Sequence, residues 1–254
     1  MTTISVVIPS YNDAAFLRTC LAALAAQTRP ADEIVVVDNA STDDTATLAL
    51  AAGARVVHEP LHGIWPAAAA GYDSATGDVI ARLDADSIPP TDWLERIEAR
   101  LAVSPEVGVL TGPGDFYGDS PLANVVGRNV YIGGYFWAIG LWLTHPPIFG
   151  SNFAMRRQVW LDTRGVVHRN RNDVHDDLDL SIHLDPAVTV AYDRTLSVGI
   201  SARPFDSWSG LLRRLSWAVR TLRLHWPEDS PVRRRVANRR RALAAKRYRA
   251  GPRA

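Results

Sequence analysis

The sequence predicts an α/β fold in which a mostly parallel sheet is flanked by helices. Short apolar runs alternate with helical patterns, and the runs are continuously hydrophobic rather than alternating. Such runs are typical of parallel strands that are covered on both faces. With 47% hydrophobic residues in a chain of 254, the protein can also bury a substantial core.

The first unit of the pattern is a strand, a loop and a helix. Residues 4–8, ISVVI, form a β-rich run that we expect to end at Pro9. Asp13 then precedes AAFLRTCLAALAAQ, in which large apolar residues recur at helical spacing.

The second unit repeats this order. Residues 33–37, EIVVV, lead into a loop rich in Ser, Thr and Asp, which can cap a helix over 45–52. Gly53 ends that helix before the strand at 54–57. Helices between apolar strands indicate a parallel sheet, whose ligands bind where the strand carboxyl ends open.

Later elements follow with less regular spacing. An alanine-rich helix over 66–75 precedes a strand at 78–82. Beyond residue 105 we expect a strand at SNFAMR and a helix through DLDLSIHL. Residues 205–225 fit an amphipathic helix in which leucines and Trp217 are mixed with arginines.

The charge is divided unevenly along the chain. Residues 203–254 carry 15 Lys and Arg against 3 Asp and Glu, a net +12 that leaves −11 for the rest. Such a basic end is either a solvated tail or a contact with an anionic membrane surface near Trp208, Trp217 and Trp226. Nucleic acid is an unlikely partner, because no binding module is recognisable.

Membrane spans and disulfides are not expected. The longest uncharged apolar stretch, 130–143, has 14 residues where a spanning helix needs roughly 20. Cys20 is the single cysteine, and the start MTTISVVIPS lacks the features of a signal peptide. We therefore expect a cytoplasmic protein, with peripheral contact at the inner face of the membrane as one further expectation.

Three carboxylates fall at predicted strand ends: Asp38, Asp84 and Asp86. Paired acids such as Asp84 and Asp86 suit Mg²⁺ or Mn²⁺, which bind carboxylates together with phosphate oxygens and water. A metal combined with phosphate implies a nucleotide-linked substrate. A lone Asp-x-Asp also arises in capped surface turns, so this pattern alone leaves both interpretations open.

Three segments, VVIPSYND, VVVDNASTDDT and ATGDVIARLDADS, occur in an order and spacing that resemble family 2 glycosyltransferases. These are inverting enzymes with a GT-A fold, a Rossmann-like and mostly parallel sheet. The resemblance covers roughly residues 3–103, and it implies a nucleotide-sugar donor and a divalent metal.

The resemblance also implies roles for the acids. Asp38 would bind the base or ribose edge, Asp84 the ribose or the metal shell, and Asp86 would be the direct metal ligand that bridges to the diphosphate. The other residues expected to line the nucleotide are Pro9, Ser10, Tyr11 and Asn39.

A second acidic cluster lies in NDVHDDLDLSIHL, residues 172–184. It resembles the family's Glu-Asp motif with Asp176 in place of Glu. The resemblance implies that Asp177 is the catalytic base and that Asp176 positions it or binds the acceptor. Asp179 is expected to continue the helix as an exposed residue; an acidic helix start stabilised by the helix dipole is the other interpretation.

The chain departs from the family pattern in one nucleotide-binding segment. Ala68 and Ala69 stand where an Arg and an Asn are common, so Arg82 or His62 is expected to supply nucleotide contacts. The Gln-x-x-Arg-Trp signature of processive synthases is matched only at Trp217. We therefore expect transfer of a single sugar.

The resulting hypothesis is a metal-dependent inverting transfer from a nucleoside diphosphate sugar, with UDP favoured, to an unidentified acceptor hydroxyl. The aromatic run 131–142 favours a lipid-linked or apolar acceptor. The alternatives are a nucleotidyltransferase, which would release pyrophosphate, and a non-catalytic binding module.

The domain expectation follows from these assignments. Residues 1–204 would form the catalytic domain, with 1–103 binding the nucleotide sugar and 104–204 the acceptor. Residues 205–230 would be an amphipathic helical segment, and 231–254 an Arg-rich tail that is a fraying helix or disordered.

Overall fold

The computed structural model describes residues 2–117, 133–203, 208–237 and 239. The strands are β1 (Ile4–Ser10), β2 (Glu33–Asp38), β3 (Arg55–His58), β4 (Val79–Arg82), β5 (Val107–Thr111), β6 (Gly114–Tyr117), β7 (Phe153–Arg156), β8 (Thr189–Tyr192) and β9 (Val198–Ser201). The helices are α1 (Ala14–Ala25), α2 (Thr45–Ala51), α3 (Ile64–Ser74), α4 (Trp93–Val103), α5 (Gly133–Leu143), α6 (Arg157–Thr163), α7 (Asp176–His183) and α8 (Trp208–Leu224).

Seven of these strands form one mixed sheet in the order β3-β2-β1-β4-β7-β5-β8. Strand β7 runs antiparallel to both of its neighbours, and the other pairs are parallel. Strands β6 and β9 form a separate parallel pair. Because the carboxyl ends of β1, β2 and β4 meet at one edge, the loops that follow them converge there.

The core has two layers, one on each face of the sheet. Helices α1, α2 and α4 pack with residues such as Val6 and Val36 on one face. Helices α3, α6 and α7 pack with Val7 and Val35 on the other. Successive strand residues therefore serve opposite layers, which explains why the strands read as continuous apolar runs.

Strand β1 continues through Pro9 to Ser10, so the prediction that it ends at Pro9 is wrong. The Asn39 amide donates to the Ser10 carbonyl at 2.9 Å, and the Leu83 amide donates to Val7 at 3.2 Å. Alternate residues of β1 therefore face β2 and β4. Pro9 faces the β4 side, where pairing stops at Val7, and a missing N–H costs nothing there.

The C-terminal region is helical where the structure describes it. Helix α8 lies where the sequence predicts a helix over 205–225, and residues 231–237 are also helical. The amphipathic character of α8 remains a prediction. Most of the Arg-rich tail, from residue 240 on, lies outside the described residues, as do 204–207.

Two further expectations concern the division at residue 103 and the apolar stretch 130–143. The sheet combines strands from 1–103 with strands from 104–204, so the division at 103 remains a prediction. Most of the apolar stretch 130–143 forms α5, while residues 130–132 lie outside the described part. Across the ranges that the structure describes, no helix has the length and hydropathy needed to cross a bilayer.

Candidate active site

The loops after β1 and β2 are joined to each other at the carboxyl edge of the sheet. Asn12, which has a positive φ of 52°, accepts a hydrogen bond from the Thr42 amide at 2.8 Å, and its own amide donates to Ser41 Oγ at 3.1 Å. Tyr11 is 46% exposed beside this junction, and its ring lies 4.3 Å from that of His62. An exposed aromatic face at a strand end can stack on a nucleobase.

Asp38 ends β2 with its carboxylate held by two partners. Oδ1 accepts a hydrogen bond from the Ser41 amide at 3.0 Å, and Oδ2 lies 3.1 Å from His58 Nδ1. The side chain is 9% exposed. Its position is therefore fixed before any ligand arrives.

Asn39 plays a different part, because its side chain is fully engaged with backbone groups. The amide nitrogen donates to the carbonyls of Glu59 and Leu61 at 2.9 and 2.8 Å, and the amide oxygen accepts from the Gly63 amide at 2.8 Å. Asn39 therefore shapes the 59–63 loop, which carries His62. The buried Ser10 Oγ nearby has no hydrogen-bond partner among the described residues.

Asp84 and Asp86 follow β4 at the same edge and have separate partners. Asp84 accepts from Ser151 Oγ at 2.6 Å and from Arg82 at 3.0 Å. Asp86 is paired with Arg203, whose Nη2 lies 2.7 Å from Oδ2. The two carboxylates are thus oriented by different cations.

Arg203 is held by more than one contact. It follows β9 and also binds Asp13 at 2.7 Å, and its guanidinium lies 4.0 Å from the centre of the Phe16 ring. An arginine stacked on an aromatic ring and shared by two acids is well positioned, although its side chain remains 39% exposed.

The electrostatics of Asp86 favour a cation. Burial raises the pKa of Asp86, repulsion from Asp84 raises it further, and Arg203 opposes both. A pair of oxygen donors that repel each other fits a hard divalent ion such as Mg²⁺ or Mn²⁺. The residues present therefore fit the expected metal. In the structure, Arg203 is the cation that pairs with Asp86.

The second acidic cluster lies at the start of α7. Asp177 accepts hydrogen bonds from the Gly150 amide at 3.0 Å and from the Leu178 amide at 2.7 Å. Burial raises the pKa of Asp177, and the charge of Asp176 raises it further. A carboxylate with a raised pKa is a stronger base than an ordinary aspartate.

Arg82 connects the two acidic clusters. Its guanidinium, with 2% of the side chain exposed, contacts Asp176 and donates to Asp84. It also lies 3.2 Å from the Tyr72 hydroxyl. This geometry favours a positioning role for Arg82, and the expected nucleotide contact of Arg82 stays a prediction.

One sequence expectation about this helix is wrong. Asp179 is fully buried rather than exposed, because its carboxylate turns inward to Trp65 and His168. Sequence reasoning also missed Arg203, Ser151 and the Gly150 amide as partners of the site acids. The only signal in the sequence is the group of acids at the predicted strand ends, because such a group needs a basic side chain from another part of the chain to balance its charge.

The comparison with known families decides the family assignment. Residues 5–165, more than half of the chain, match the model of "Glycosyl transferase family 2". The chain belongs to this family. The match includes all three strand-end acids, Asp38, Asp84 and Asp86, and stops before Asp176 and Asp177.

Among curated relatives, this family 2 chain is 42% identical over 98 residues to a glycosyltransferase of Mycobacterium tuberculosis. That alignment covers 39% of this chain and 43% of the relative. The chain therefore spans less than half of the length of the curated relative.

Solved structures show the GT-A fold. Glucosyl-3-phosphoglycerate synthase from M. tuberculosis, in complex with Mn²⁺, UDP and glucosyl-3-phosphoglycerate, superposes with a TM-score of 0.61 at 21% identity, over 87% of this chain and 78% of its own. The mannosyltransferase PcManGT from Pyrobaculum calidifontis, in complex with GDP-Man and Mn²⁺, gives 0.60 at 23% identity, over 78% and 56%. The predicted fold class is confirmed.

Proposed function

We propose that this glycosyltransferase moves a single sugar from a nucleoside diphosphate sugar to an acceptor hydroxyl, with metal dependence and inversion at the anomeric carbon. The observation that carries the proposal is the Arg82 bridge between Asp84 and Asp176. Through this bridge, the Asp84/Asp86 pair that would hold the metal is linked to the residue beside the candidate base, Asp177, which supports a single site containing both. Two acidic clusters with different chemical demands are what such a transfer requires.

The donor would bind over the carboxyl ends of β1 and β2. Pro9 and Ser10 form the end of β1, Tyr11 offers its exposed ring to the base, and the fixed Asp38 carboxylate can accept from a base or ribose group. We favour uracil as the base, which makes the donor a UDP-sugar. The proposal is supported by the structure of a neighbour that contains UDP, while another contains GDP-Man.

Asp86 and Asp84 would hold the metal, Mg²⁺ or Mn²⁺. When bound, such an ion neutralises charge on the departing diphosphate. Arg203 would release Asp86 to the cation and remain nearby as a positive group beside Asp13. The cation and Arg203 would then both lie near the leaving group and offset its negative charge.

Asp177 would act as the general base. As the acceptor oxygen forms its bond to the anomeric carbon, the hydroxyl proton passes to Asp177, and the bond to the diphosphate oxygen breaks with its electron pair. The amides of Gly150 and Leu178 orient the carboxylate. Asp176, fixed by Arg82, would position the base.

The acceptor would enter beside α5. This helix carries Tyr135, Phe136, Trp137 and Trp142, and Trp137 is 70% exposed. An apolar or lipid-linked acceptor suits such a surface, and peripheral contact with an anionic membrane belongs to the same proposal.

The test is an assay of released nucleotide and product configuration. With UDP-sugars or GDP-sugars, Mn²⁺ and an alcohol acceptor, we expect nucleoside diphosphate as the by-product and an inverted anomeric centre by NMR. Release of pyrophosphate from a nucleoside triphosphate would replace the proposal with a nucleotidyltransferase. Absence of turnover with every donor would favour a binding module.

A further inference from the structure

Three imidazoles surround one buried carboxylate on the far side of α7 from Asp177. Oδ1 of Asp179 lies 2.8 Å from His168 Nδ1, 3.4 Å from His225 Nε2 and 3.5 Å from His183 Nδ1. The three rings are in mutual contact, with centroids 4.8 to 5.3 Å apart. The proposed transfer reaction uses none of these four side chains.

The carboxylate is fixed so that one oxygen faces the imidazoles. The other oxygen, Oδ2, accepts hydrogen bonds from Trp65 Nε1 and from the His168 amide, both at 2.8 Å. Asp179 has no solvent exposure. Buried carboxylates held this way commonly serve as oriented ligands rather than as surface charges.

His225 shows why a cation is needed between these groups. Its Nδ1 lies 2.6 Å from the Thr221 carbonyl, which only accepts, so Nδ1 carries the hydrogen. In the neutral ring, Nε2 then carries a lone pair and can only accept a hydrogen bond. This nitrogen is buried, faces Asp179, and has no hydrogen-bond partner among the described residues. Two acceptors 3.4 Å apart require a proton or a metal ion between them.

We propose that His168, Asp179, His183 and His225 form a zinc site. Their donor atoms lie within 4.8 Å of one another. Three nitrogens and one oxygen are a ligand set that Zn²⁺ accepts in tetrahedral sites, with bonds of about 2.0–2.2 Å. The donation of His225 Nδ1–H to a backbone carbonyl is the usual outer contact of a zinc-bound histidine.

His183 contributes on a condition. Its Nδ1 also lies 2.8 Å from the Asp179 carbonyl oxygen, so binding the ion means giving up that hydrogen bond. Asp179 and His183 are four residues apart on α7 and therefore project from the same face of the helix.

The zinc would connect three segments of the chain: the loop at His168, helix α7, and the end of α8 at His225. Because α7 also carries Asp176 and Asp177, the ion would hold the candidate base against the sheet. The zinc site itself does not depend on the proposed function, whereas this positioning consequence rests on it.

The test measures zinc content and melting temperature of the purified full chain. After chelation, Zn²⁺ is added in the presence of excess Mg²⁺, which occupies the Asp84/Asp86 site. We expect about one zinc per wild-type chain, a rise in melting temperature, and a tetrahedral Co²⁺ visible spectrum on substitution. His168→Ala and His225→Ala should lose all three signals.

Two controls separate this site from the rest of the protein. His145→Ala removes an imidazole elsewhere and should bind zinc like the wild type, as should Asp86→Ala. His168 is 35% exposed, so His168→Ala is expected to fold, and its melting curve without metal verifies this.

The proposal is overturned if the folded wild type binds no zinc, or if His168→Ala and His225→Ala bind it as the wild type does. In the first case a protonated His225 would satisfy Asp179. Loss of zinc in Asp86→Ala alone would place the ion at the Asp84/Asp86 pair instead.

Discussion

At the scale of single residues, Arg203 is the group that would compete with a metal for Asp86. It pairs with Asp86 through Nε at 3.2 Å and Nη2 at 2.7 Å. Both contacts are to Oδ2, so a divalent cation that binds this oxygen would displace the guanidinium. On the proposed metal site, the arginine would compete with the metal in the unliganded protein.

Arg203→Ala should raise the affinity of the free protein for Mn²⁺ several-fold, because Asp86 loses its competing cation. Donor turnover should fall, because the positive group near the diphosphate is also lost. Isothermal titration with Mn²⁺ measures the first effect. The matched control is Arg96→Ala, which removes a surface pair with Asp92; unchanged or weaker Mn²⁺ binding in Arg203→Ala would contradict the assignment.

The raised pKa of Asp177 predicts the acid limb of the pH–rate profile. The groups that face it are Asp176, His175 and Arg82, and burial is the largest cause of the shift. A base acts in its deprotonated form, so kcat should fall as pH drops through a pKa above the ordinary 3.8. A limb at or below that value would show that Asp177 is not the base.

The residues of the site could be found from sequence only where a motif marked them. Asp84, Asp86 and Asp177 stand in patterns whose residue types predict a metal site and a general base. Arg203 lies 117 residues after Asp86, and only folding brings the two side chains together at the edge of the sheet. The role of Arg82 and the burial of Asp179 were likewise beyond sequence, because both depend on contacts between distant elements.

At the scale of elements, Glu33 links β1, β2 and β3 at the amino ends of these strands. It accepts from Ser5 Oγ at 2.5 Å and from the Thr76 amide at 3.0 Å, and it pairs with Arg55 at 2.6 Å. Burial would raise its pKa, but these hydrogen bonds and the Arg55 charge lower it to about 2.

This contact predicts a pH-dependent stability difference. A lowered pKa adds stability above the ordinary 4.5, and that stability is lost as pH falls towards about 2. Glu33→Gln should lower the free energy of unfolding by about 1–2 kcal/mol at pH 7, a value reduced for the partial exposure of Glu33. Urea unfolding at pH 7 and at pH 3 measures it; an equal difference at both values would refute the assignment.

Most elements could be predicted because their patterns are local. The strands β1 to β4 and helices α1 to α3 follow from apolar runs and from residues at helical spacing; the predicted side-chain caps are not formed at the N-cap residues of these helices. The pair β6 and β9 could not, since each strand has four residues and their pairing joins segments more than 80 residues apart. The antiparallel direction of β7 is also set by long-range pairing alone.

At the scale of the whole molecule, the chain divides into an acidic body and a basic end. Residues 240–254 carry six Lys and Arg and no Asp or Glu. They lie outside the described residues, so the proposed membrane contact rests on their charge alone. Each basic residue held near an anionic bilayer contributes about 1 kcal/mol.

Removal of residues 240–254 should weaken binding to anionic vesicles by about tenfold or more at low salt, with turnover on a water-soluble acceptor unchanged. Vesicle co-sedimentation measures this. Neutral vesicles and a variant with these six residues replaced by Gln are the controls. Equal binding of the full and shortened chains would dismiss the membrane contact.

The central claim is that Asp86 holds a metal that binds the donor diphosphate. Isothermal titration of UDP and GDP, with and without Mn²⁺, on wild type, Asp86→Ala and Asp177→Asn tests it most directly. We expect Mn²⁺-dependent binding of one nucleotide by the wild type and by Asp177→Asn, and none by Asp86→Ala. Nucleotide binding that ignores Mn²⁺, or that survives in Asp86→Ala, would contradict the account.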